Sequence, residues 1–208
     1  GADAVITVNR QMKESFSAYR DRGIHVLTNG YDPDDFPAER PQPADGFLVS
    51  HLGSMNADRN PPAFWQAVSE LVDIHPDFRE KLKIRLVGKV DIIVRKSVSE
   101  YGLEKFVEYT GTVPHEKVFS ELGKSRLLLL TVNNTPHAAG ILTGKLYEYL
   151  ASGRPVLGIG PEDGEIAEIL QETGAGEMCG FENPEKIKTL LLRFFAAPAS
   201  TTATGTEK

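Results

Sequence analysis

Short apolar runs alternate along the chain with longer stretches in which hydrophobic residues recur at helical spacing. The runs predict β-strands at Ala4–Val8, Ile24–Thr28, Phe47–Gly53, Ile84–Gly88, Phe106–Gly111, Arg126–Val132, Pro155–Gly160 and Gly176–Gly180. The stretches between them predict helices near residues 10–21, 61–75, 91–102, 115–123, 143–152, 163–173 and 184–195. Leucines at residues 127–130 indicate a strand that is covered on both faces. The pattern therefore predicts an α/β fold: a Rossmann-like, doubly wound parallel sheet with helices on both faces.

One stretch breaks this alternation and predicts a domain boundary. Residues 31–46 contain four prolines and almost no periodicity, which is typical of a linker. Residues 1–30 then form the last βα unit and a strand of a mostly missing N-terminal domain, and residues 47–195 form the main domain. We expect the small, polar residues 196–208 to be a disordered tail. Because the chain begins Gly-Ala-Asp without an initiator methionine, we expect it to be a fragment of a longer protein.

Composition narrows the class of protein. The net charge of −6 comes from mixed acidic and basic residues without a basic stripe, so nucleic acid is not an expected partner. Cys179 is the only cysteine, which excludes an internal disulfide framework and a cysteine-based zinc site. No apolar run approaches the roughly 18 residues of a membrane span, and no signal peptide is evident. These features favour a cytoplasmic location.

In parallel sheets, ligands bind beyond the carboxyl ends of the strands. The loop after the strand ending at Gly53 carries Arg59, whose guanidinium is suited to bind phosphate oxygens in a bidentate manner. The alternative is a solvated loop arginine paired with Asp58 or another carboxylate, which is the more frequent situation for a surface arginine.

A second candidate site lies at the start of the helix near residues 143–152. Thr143 is a good N-cap residue, and the free N–H groups of Gly144 and Lys145 would form an anion site at the positive end of the helix. Glu148 is four residues after Gly144 and shares its face, at the offset between a diphosphate and the ribose hydroxyls of one nucleotide. The alternative is an ordinary ion pair between Lys145 and Glu148. The expected core stripe of this helix is Leu146, Tyr149 and Leu150.

Two further loops carry weaker signals. The turn that follows Gly111 would expose backbone groups able to read a flat base, with Val113 packing on its face, although an ordinary βα loop explains it equally well. His137 lies in the polar loop before the helix, where it would either contact substrate or be a surface residue. Residues 32–35, Asp-Pro-Asp-Asp, lie in the predicted linker, so we assign them to turn formation rather than to a metal site.

The order of these motifs resembles a known family. "TNGYD", "HLGS" with Arg59, "YTGTVPHEKV" and "TGKLYEYLASGRPVL" together resemble the nucleotide-binding half of retaining glycosyltransferases of the GT-B type, particularly family four. The resemblance implies that Glu148 is the second glutamate of the Glu-x7-Glu pattern and binds ribose hydroxyls. It also implies catalytic leaving-group stabilisation by Arg59 and Lys145. The remaining donor-binding positions implied are Gly53, Ser54, Val113, His137, Thr143 and Gly144.

Two positions depart from the family pattern. The first glutamate of the pattern would fall at Gly140, and the arginine that often follows the loop glycine is replaced by Ser54. Because that glutamate touches the donor sugar in many members, its absence leaves the identity of the sugar open. It also leaves open whether Lys145 assumes more of the leaving-group stabilisation.

The function implied is transfer of a sugar from a nucleoside diphosphate sugar, without a metal or other cofactor, in polysaccharide biosynthesis. The acceptor, a sugar or a lipid-linked sugar, would be bound by the missing N-terminal domain, so we expect the fragment to bind nucleotide weakly and to be inactive alone. Peripheral membrane association of the full-length protein stays open. Two alternatives remain: a noncatalytic Rossmann-like binding module, and a GT-B nucleotide-sugar epimerase, against which the lack of carboxylates between Thr131 and Gly140 argues.

Overall fold

The computed structural model describes residues 2–19, 22–35 and 41–198, which form two parallel sheets. The strands are β1 (Val5–Thr7), β2 (Ile24–Val26), β3 (Phe47–Leu52), β4 (Leu82–Val87), β5 (Val107–Gly111), β6 (Leu127–Thr131), β7 (Val156–Ile159) and β8 (Gly176–Cys179). β1 and β2 pair with each other, and the other six strands form one sheet in the order β5-β4-β3-β6-β7-β8. Every pairing is parallel, which confirms the predicted fold class.

The strand order reverses between β3 and β6. The chain runs outward from β3 through β4 to β5, returns to the other side of β3 as β6, and continues outward to β8. At such a switch point the connections leave β3 and β6 in opposite directions, so a crevice opens at their carboxyl ends. The topology therefore selects this edge of the sheet as the place for a ligand.

The helices are close to those that the sequence predicts. They are α1 (Arg10–Ser17), α2 (Pro62–Ile74), α3 (Pro76–Lys81), α4 (Ile92–Glu100), α5 (His115–Lys124), α6 (Gly144–Ser152), α7 (Glu165–Thr173) and α8 (Pro184–Ala196). The short helix α3 was not predicted. It forms because His75 leaves the helical region and caps the next turn, accepting a hydrogen bond from the Phe78 N–H at 3.3 Å, with Pro76 at the first position.

The six-stranded sheet separates two hydrophobic layers. Leu127 and Leu129 point into the layer with α2, α3, α4 and α8, whereas Leu128 and Leu130 point into the layer with α5, α6 and α7. All residues of β3 and β6 are buried, which confirms that the leucine run is covered on both faces. Burial on both sides holds the carboxyl ends of these strands in place beneath the loops that follow them.

The first βα unit contacts the turn that precedes α6. Asn9, which is 3% exposed, donates a 2.7 Å hydrogen bond from its side chain to the carbonyl of Gly140. The backbone N–H of Gln11 donates to the Glu165 carboxylate at 2.9 Å. The assignment of residues 1–30 to a separate domain stays a prediction.

The predicted linker lies partly outside the described residues, which omit 36–40. Before this gap, Pro33–Asp35 form a 3₁₀ turn in which the Asp34 N–H donates to the Asp32 carboxylate at 3.0 Å, which confirms the predicted turn role. After the gap, the Pro41 carbonyl accepts from Arg154 at 2.8 Å and the Ala44 N–H donates to the Lys124 carbonyl at 2.8 Å. Most of the predicted tail, residues 199–208, also lies outside the described residues.

Candidate functional site

A cavity of about 260 Å³ opens at the carboxyl ends of β3 and β4, between α5 and α6. It brings together four residues that the sequence predicts for the site, from three separate segments of the chain: Gly53, Val113, Lys145 and Glu148. The other lining residues are Leu52, Val87, Gly88, Thr112, His115 and Val118. The cavity therefore has an apolar floor with a cationic and an anionic side chain at its edge.

Two glycines make the floor of this cavity possible. Gly53 and Gly88 have φ values of +106° and +118°, and a Cβ at Gly88 would lie 2.7 Å from the Gly53 carbonyl oxygen. A Cβ at Gly53 would in turn lie 2.5 Å from Nζ of Lys145. The missing side chain at Gly53 therefore allows Lys145 to lie across the end of β3. The sequence analysis assigned Gly88 to the end of a strand and did not predict that it lines the site. Its position directly after the strand "IRLV" could have indicated this, because ligands bind beyond the carboxyl ends of parallel strands.

The N-terminus of α6 differs in one detail from the prediction. Thr143 is the N-cap residue as expected, but its side chain makes no capping hydrogen bond. Its hydroxyl therefore does not satisfy the amides of the first turn, which remain available to an anion. Gly144 is exposed, and nothing lies within 4 Å of the place where its Cβ would be. The first amides of α6 are thus open to a close approach.

Lys145 and Glu148 do not form the ordinary ion pair that was the alternative interpretation, because their charged atoms are not within 4 Å of each other. Burial lowers the pKa of Lys145 to about 8, the positive charge of Arg59 adds to this, and Glu148 opposes it. Burial also raises the pKa of Glu148, against the nearby His115 and Lys145. Both groups are therefore partly desolvated at the cavity without being neutralised by each other.

The opposite face of α6 anchors the helix. Leu146 and Tyr149 are fully buried and Leu150 is half-buried, as the core-stripe prediction requires. The hydroxyl of Tyr149 accepts a hydrogen bond of 2.9 Å from the backbone N–H of Leu52. This bond connects α6 directly to the last residue of β3, so it fixes the position of the helix relative to the floor of the cavity.

Arg59 ends a 3₁₀ turn, Ala57–Arg59, in the loop after β3. Its Nε donates to the Asn133 side-chain oxygen at 2.7 Å, and its Nη1 donates to the Ser54 carbonyl at 3.0 Å. Neither Asp58 nor any other carboxylate within the described ranges forms an ion pair with it, so the pairing in the alternative interpretation is wrong, and the binding role of Arg59 stays a prediction. The guanidinium is held by neutral partners and keeps its charge unpaired near Lys145.

A buried histidine that the sequence reasoning missed lies beneath these cations. His51 is 1% exposed, and its Nδ1 lies 2.9 Å from the Leu129 carbonyl, to which it donates. Burial and the positive charge of Lys145 lower its pKa to about 3, so the ring is neutral. The sequence signal that could have indicated it is a histidine inside the mostly apolar run "FLVSHL".

The mouth of the cavity carries an ion pair that the sequence did not predict. His115, the first residue of α5, lies 3.1 Å from the Asp35 carboxylate through its Nε2. Asp35 therefore does more than shape a turn: it brings the segment after β2 to the rim of the cavity. Sequence gives no signal for a contact between residues 80 positions apart.

His137 does not line this cavity. It is exposed at the start of a 3₁₀ turn, Ala138–Gly140, that precedes α6. This turn contacts Asn9 instead, whose side chain donates a hydrogen bond to the Gly140 carbonyl.

A family model matches most of the chain. Residues 46–196 match the family model described as "Glycosyl transferases group 1". The chain belongs to the group 1 glycosyltransferases. The matched range includes the whole six-stranded sheet and every predicted site residue of this glycosyltransferase domain. A comparison with curated protein sequences gives no match.

Solved structures share the GT-B architecture of this glycosyltransferase domain. Sucrose-phosphate synthase from Thermosynechococcus elongatus is 18% identical with a TM-score of 0.73, over 98% of this chain and 51% of its own. Anabaena HepE, solved in complex with UDP and glucose, is 17% identical with a TM-score of 0.69, over 97% and 57%. S. aureus TarM, solved as a mutant in complex with Fondaparinux, alpha-GlcNAc-glycerol and UDP, is 14% identical with a TM-score of 0.70, over 96% and 38%. The chain thus spans between about two fifths and three fifths of these proteins.

Two kinds of feature are absent from the described residues of this glycosyltransferase domain. No helix there has the length and apolarity needed to cross a membrane. No group of three or more histidine, cysteine, aspartate or glutamate side chains is arranged there to hold a metal ion.

Proposed function

We propose that this domain binds the nucleoside diphosphate part of a sugar nucleotide and supports transfer of the sugar to an acceptor. The observation that carries the proposal is the position of Lys145, which lines the cavity, lies against Gly53 and is close enough to Arg59 to feel its positive charge. Two cations without a carboxylate partner within 4 Å, next to the open N-terminus of α6, are what a diphosphate requires.

The diphosphate subsite consists of the first amides of α6, Lys145 and Arg59. Helix amides and the positive end of the helix dipole favour anions, and the open space at Gly144 lets phosphate oxygens come close. Arg59 is held by Asn133 and Ser54, so its planar guanidinium is preorganised. Thr143 contributes its backbone to this terminus rather than a side-chain cap.

The nucleoside subsite is the adjoining cavity. At about 260 Å³ it lies just below the roughly 300–1,000 Å³ range of pockets for drug-sized ligands, which suits a base with the edge of its ribose. Val113 and Val118 offer apolar contact for a base, and Glu148 offers an acceptor for ribose hydroxyls at the same rim. Binding of UDP by TarM and HepE supports a nucleoside diphosphate as the ligand class.

The chemical role follows from where charge develops. As the glycosidic bond to the diphosphate breaks, negative charge grows on the leaving phosphate, and fixed positive groups stabilise it. Lys145, Arg59 and the α6 amides supply that stabilisation, so we propose a metal-independent transfer. The acceptor would be bound by a part of the enzyme outside this domain, and we expect the isolated chain to bind nucleotide without completing transfer.

The proposal is tested by calorimetric titration of the chain with UDP, GDP and ADP. We expect one of them to bind at high micromolar affinity or tighter and to raise the thermal midpoint. Glu148→Ala should weaken that binding, and Arg59→Ala should cost about 1.5–3 kcal/mol because it removes a charged hydrogen-bond donor. Glu172→Ala is the control, since Glu172 is an exposed carboxylate on α7 outside the cavity.

The same titration has a clear contrary result. If no nucleoside diphosphate binds, or if Glu148→Ala and Arg59→Ala bind as well as Glu172→Ala, this is not a donor site and the domain is a binding module of another kind.

A further inference from the structure

The carboxamide of Gln11 occupies the space in front of Gly140. A Cβ built at Gly140 would overlap the end of the Gln11 side chain and would lie 3.2 Å from Cβ of Gln11. A larger residue at position 140 and the present conformation of Gln11 are therefore mutually exclusive. A side chain from α1 fills the volume that position 140 leaves empty.

The backbone around Gln11 is held in place from both sides. Asn9 accepts a hydrogen bond from the Met12 N–H at 2.7 Å and donates to the Gly140 carbonyl at 2.7 Å, so it caps α1 and fastens it to the 3₁₀ turn. The Gln11 N–H donates to Glu165 at 2.9 Å. The position of the Gln11 backbone is therefore fixed by the buried Asn9 cap and by the hydrogen bond to Glu165 of α7.

The side-chain carboxamide of Gln11 makes no hydrogen bond within the described residues. Gln11 is exposed, and its hydrogen bonds within the described residues use only its backbone N–H and carbonyl. A carboxamide donates through its nitrogen and accepts through its oxygen, which matches the dual character of a sugar hydroxyl. It also carries no charge, so it does not repel a neighbouring diphosphate.

The position of Gln11 relative to the proposed donor site follows from the order of the elements. The nucleoside cavity lies on the α5 side of α6, whereas the turn containing Gly140 contacts α1 and α7 and leads into Thr143. A ligand with its nucleoside in the cavity and its diphosphate at Gly144 extends from there towards this turn. The group attached to the second phosphate is the sugar.

We propose that Gln11 hydrogen-bonds a hydroxyl of the transferred sugar and is a specificity-determining residue for the donor. This inference rests on the proposed function, because it uses the diphosphate position assigned above. The proposal gives α1, the helix that connects β1 and β2, a direct role in donor recognition.

The test compares a nucleoside diphosphate with its sugar conjugate by calorimetry, using the pairs UDP and UDP-glucose, GDP and GDP-mannose, and ADP and ADP-glucose. In the pair that binds, Gln11→Ala should leave the affinity for the diphosphate unchanged and weaken the conjugate about three- to tenfold, the usual effect of one neutral hydrogen bond. Gly140→Ala should weaken the conjugate in the same way, because the added methyl group displaces the carboxamide. This second variant keeps the test valid if Gln11→Ala does not fold.

A reciprocal exchange makes the test specific to the space between the two residues. The double variant Gln11→Ala with Gly140→Gln returns a carboxamide to the same volume from the other side and should restore part of the lost affinity. Gln171→Ala removes an exposed glutamine from α7 and should change nothing.

The outcomes separate the two proposals. If the wild-type chain binds none of the diphosphates, the proposed function fails. If a diphosphate binds but its conjugate binds equally in wild type, or equally in wild type and in the Gln11 and Gly140 variants, the donor site stands and the role of Gln11 is wrong.

Discussion

The ammonium group of Lys145 lies across Gly53, so closely that a Cβ at Gly53 would lie 2.5 Å from Nζ. The first residue after the central strand and the second residue of α6 therefore share one small volume. A side chain at position 53 would therefore have to displace the end of the Lys145 side chain.

Gly53→Ala should consequently reduce both stability and nucleotide affinity. The φ of +106° would cost about 1–3 kcal/mol for alanine, and the methyl group would push Lys145 out of the site. Thermal unfolding and titration with the diphosphate that binds measure the two effects. Gly102→Ala is the matched control, since Gly102 also has a positive φ but has open space around it; it should lose stability and keep affinity. Wild-type affinity in Gly53→Ala would contradict the role of the contact.

The lowered pKa of Lys145, about 8, predicts an unusual pH dependence of binding. A diphosphate needs the charged ammonium, and its own phosphates are fully ionised above about pH 7.5 because their last pKa is near 6. Affinity should therefore fall as pH rises above 8, approaching about tenfold per pH unit. In Lys145→Arg the fall should disappear, because arginine stays charged. A flat profile in wild type would mean that Lys145 does not contact the ligand.

The same pKa has the opposite effect on stability without ligand. The unfolded chain holds this proton up to the usual pKa of 10.5, whereas the folded protein releases it near pH 8. The unfolded state therefore binds more protons between these pH values, and the contribution of Lys145 to the free energy of unfolding should rise with pH across this window. Denaturant melts of wild type and Lys145→Met from pH 7 to 10 measure it as a difference; parallel profiles would contradict it.

Tyr149→Phe should destabilise the fold. The Leu52 N–H donates to the Tyr149 hydroxyl at 2.9 Å in a fully buried environment, so removing the oxygen leaves a buried donor unpaired. The expected cost is about 1–3 kcal/mol in the free energy of unfolding. Tyr19→Phe, at a side chain that is 89% exposed, should change it by less than about 0.5 kcal/mol. Equal stability of the two variants would show that α6 does not depend on this bond.

Gly144→Ala should weaken nucleotide binding without lowering the stability of the fold. Nothing lies within 4 Å of the added methyl group, and alanine is the better helix former, so the thermal midpoint should stay the same or rise. The methyl group would, however, stand where phosphate oxygens approach the first amides of α6, so nucleotide affinity should fall. Unchanged affinity would indicate that the diphosphate does not use this helix terminus.

The sequence alone determined the elements and their class. Leu127–Leu130 predict a strand buried on both faces because side chains alternate across a strand, a property of neighbouring residues. The shared face of Gly144 and Glu148 follows in the same way from the helical repeat. The helix α3 escaped prediction because it depends on a local cap by His75, whose histidine ring is not a typical N-cap signal.

Only the tertiary structure decided which residues meet. Arg59 donates to the side chain of Asn133, 74 positions away, and not to a carboxylate. The rim of the cavity likewise contains a contact between Asp35 and His115, which are 80 positions apart. The overlap of Gln11 with the space before Gly140 likewise joins a residue of α1 with a residue of the 3₁₀ turn before α6. Periodicity arises from bonds between neighbours and is written in the local sequence. Proximity between distant segments arises from packing of the whole chain, which no single stretch of residues encodes.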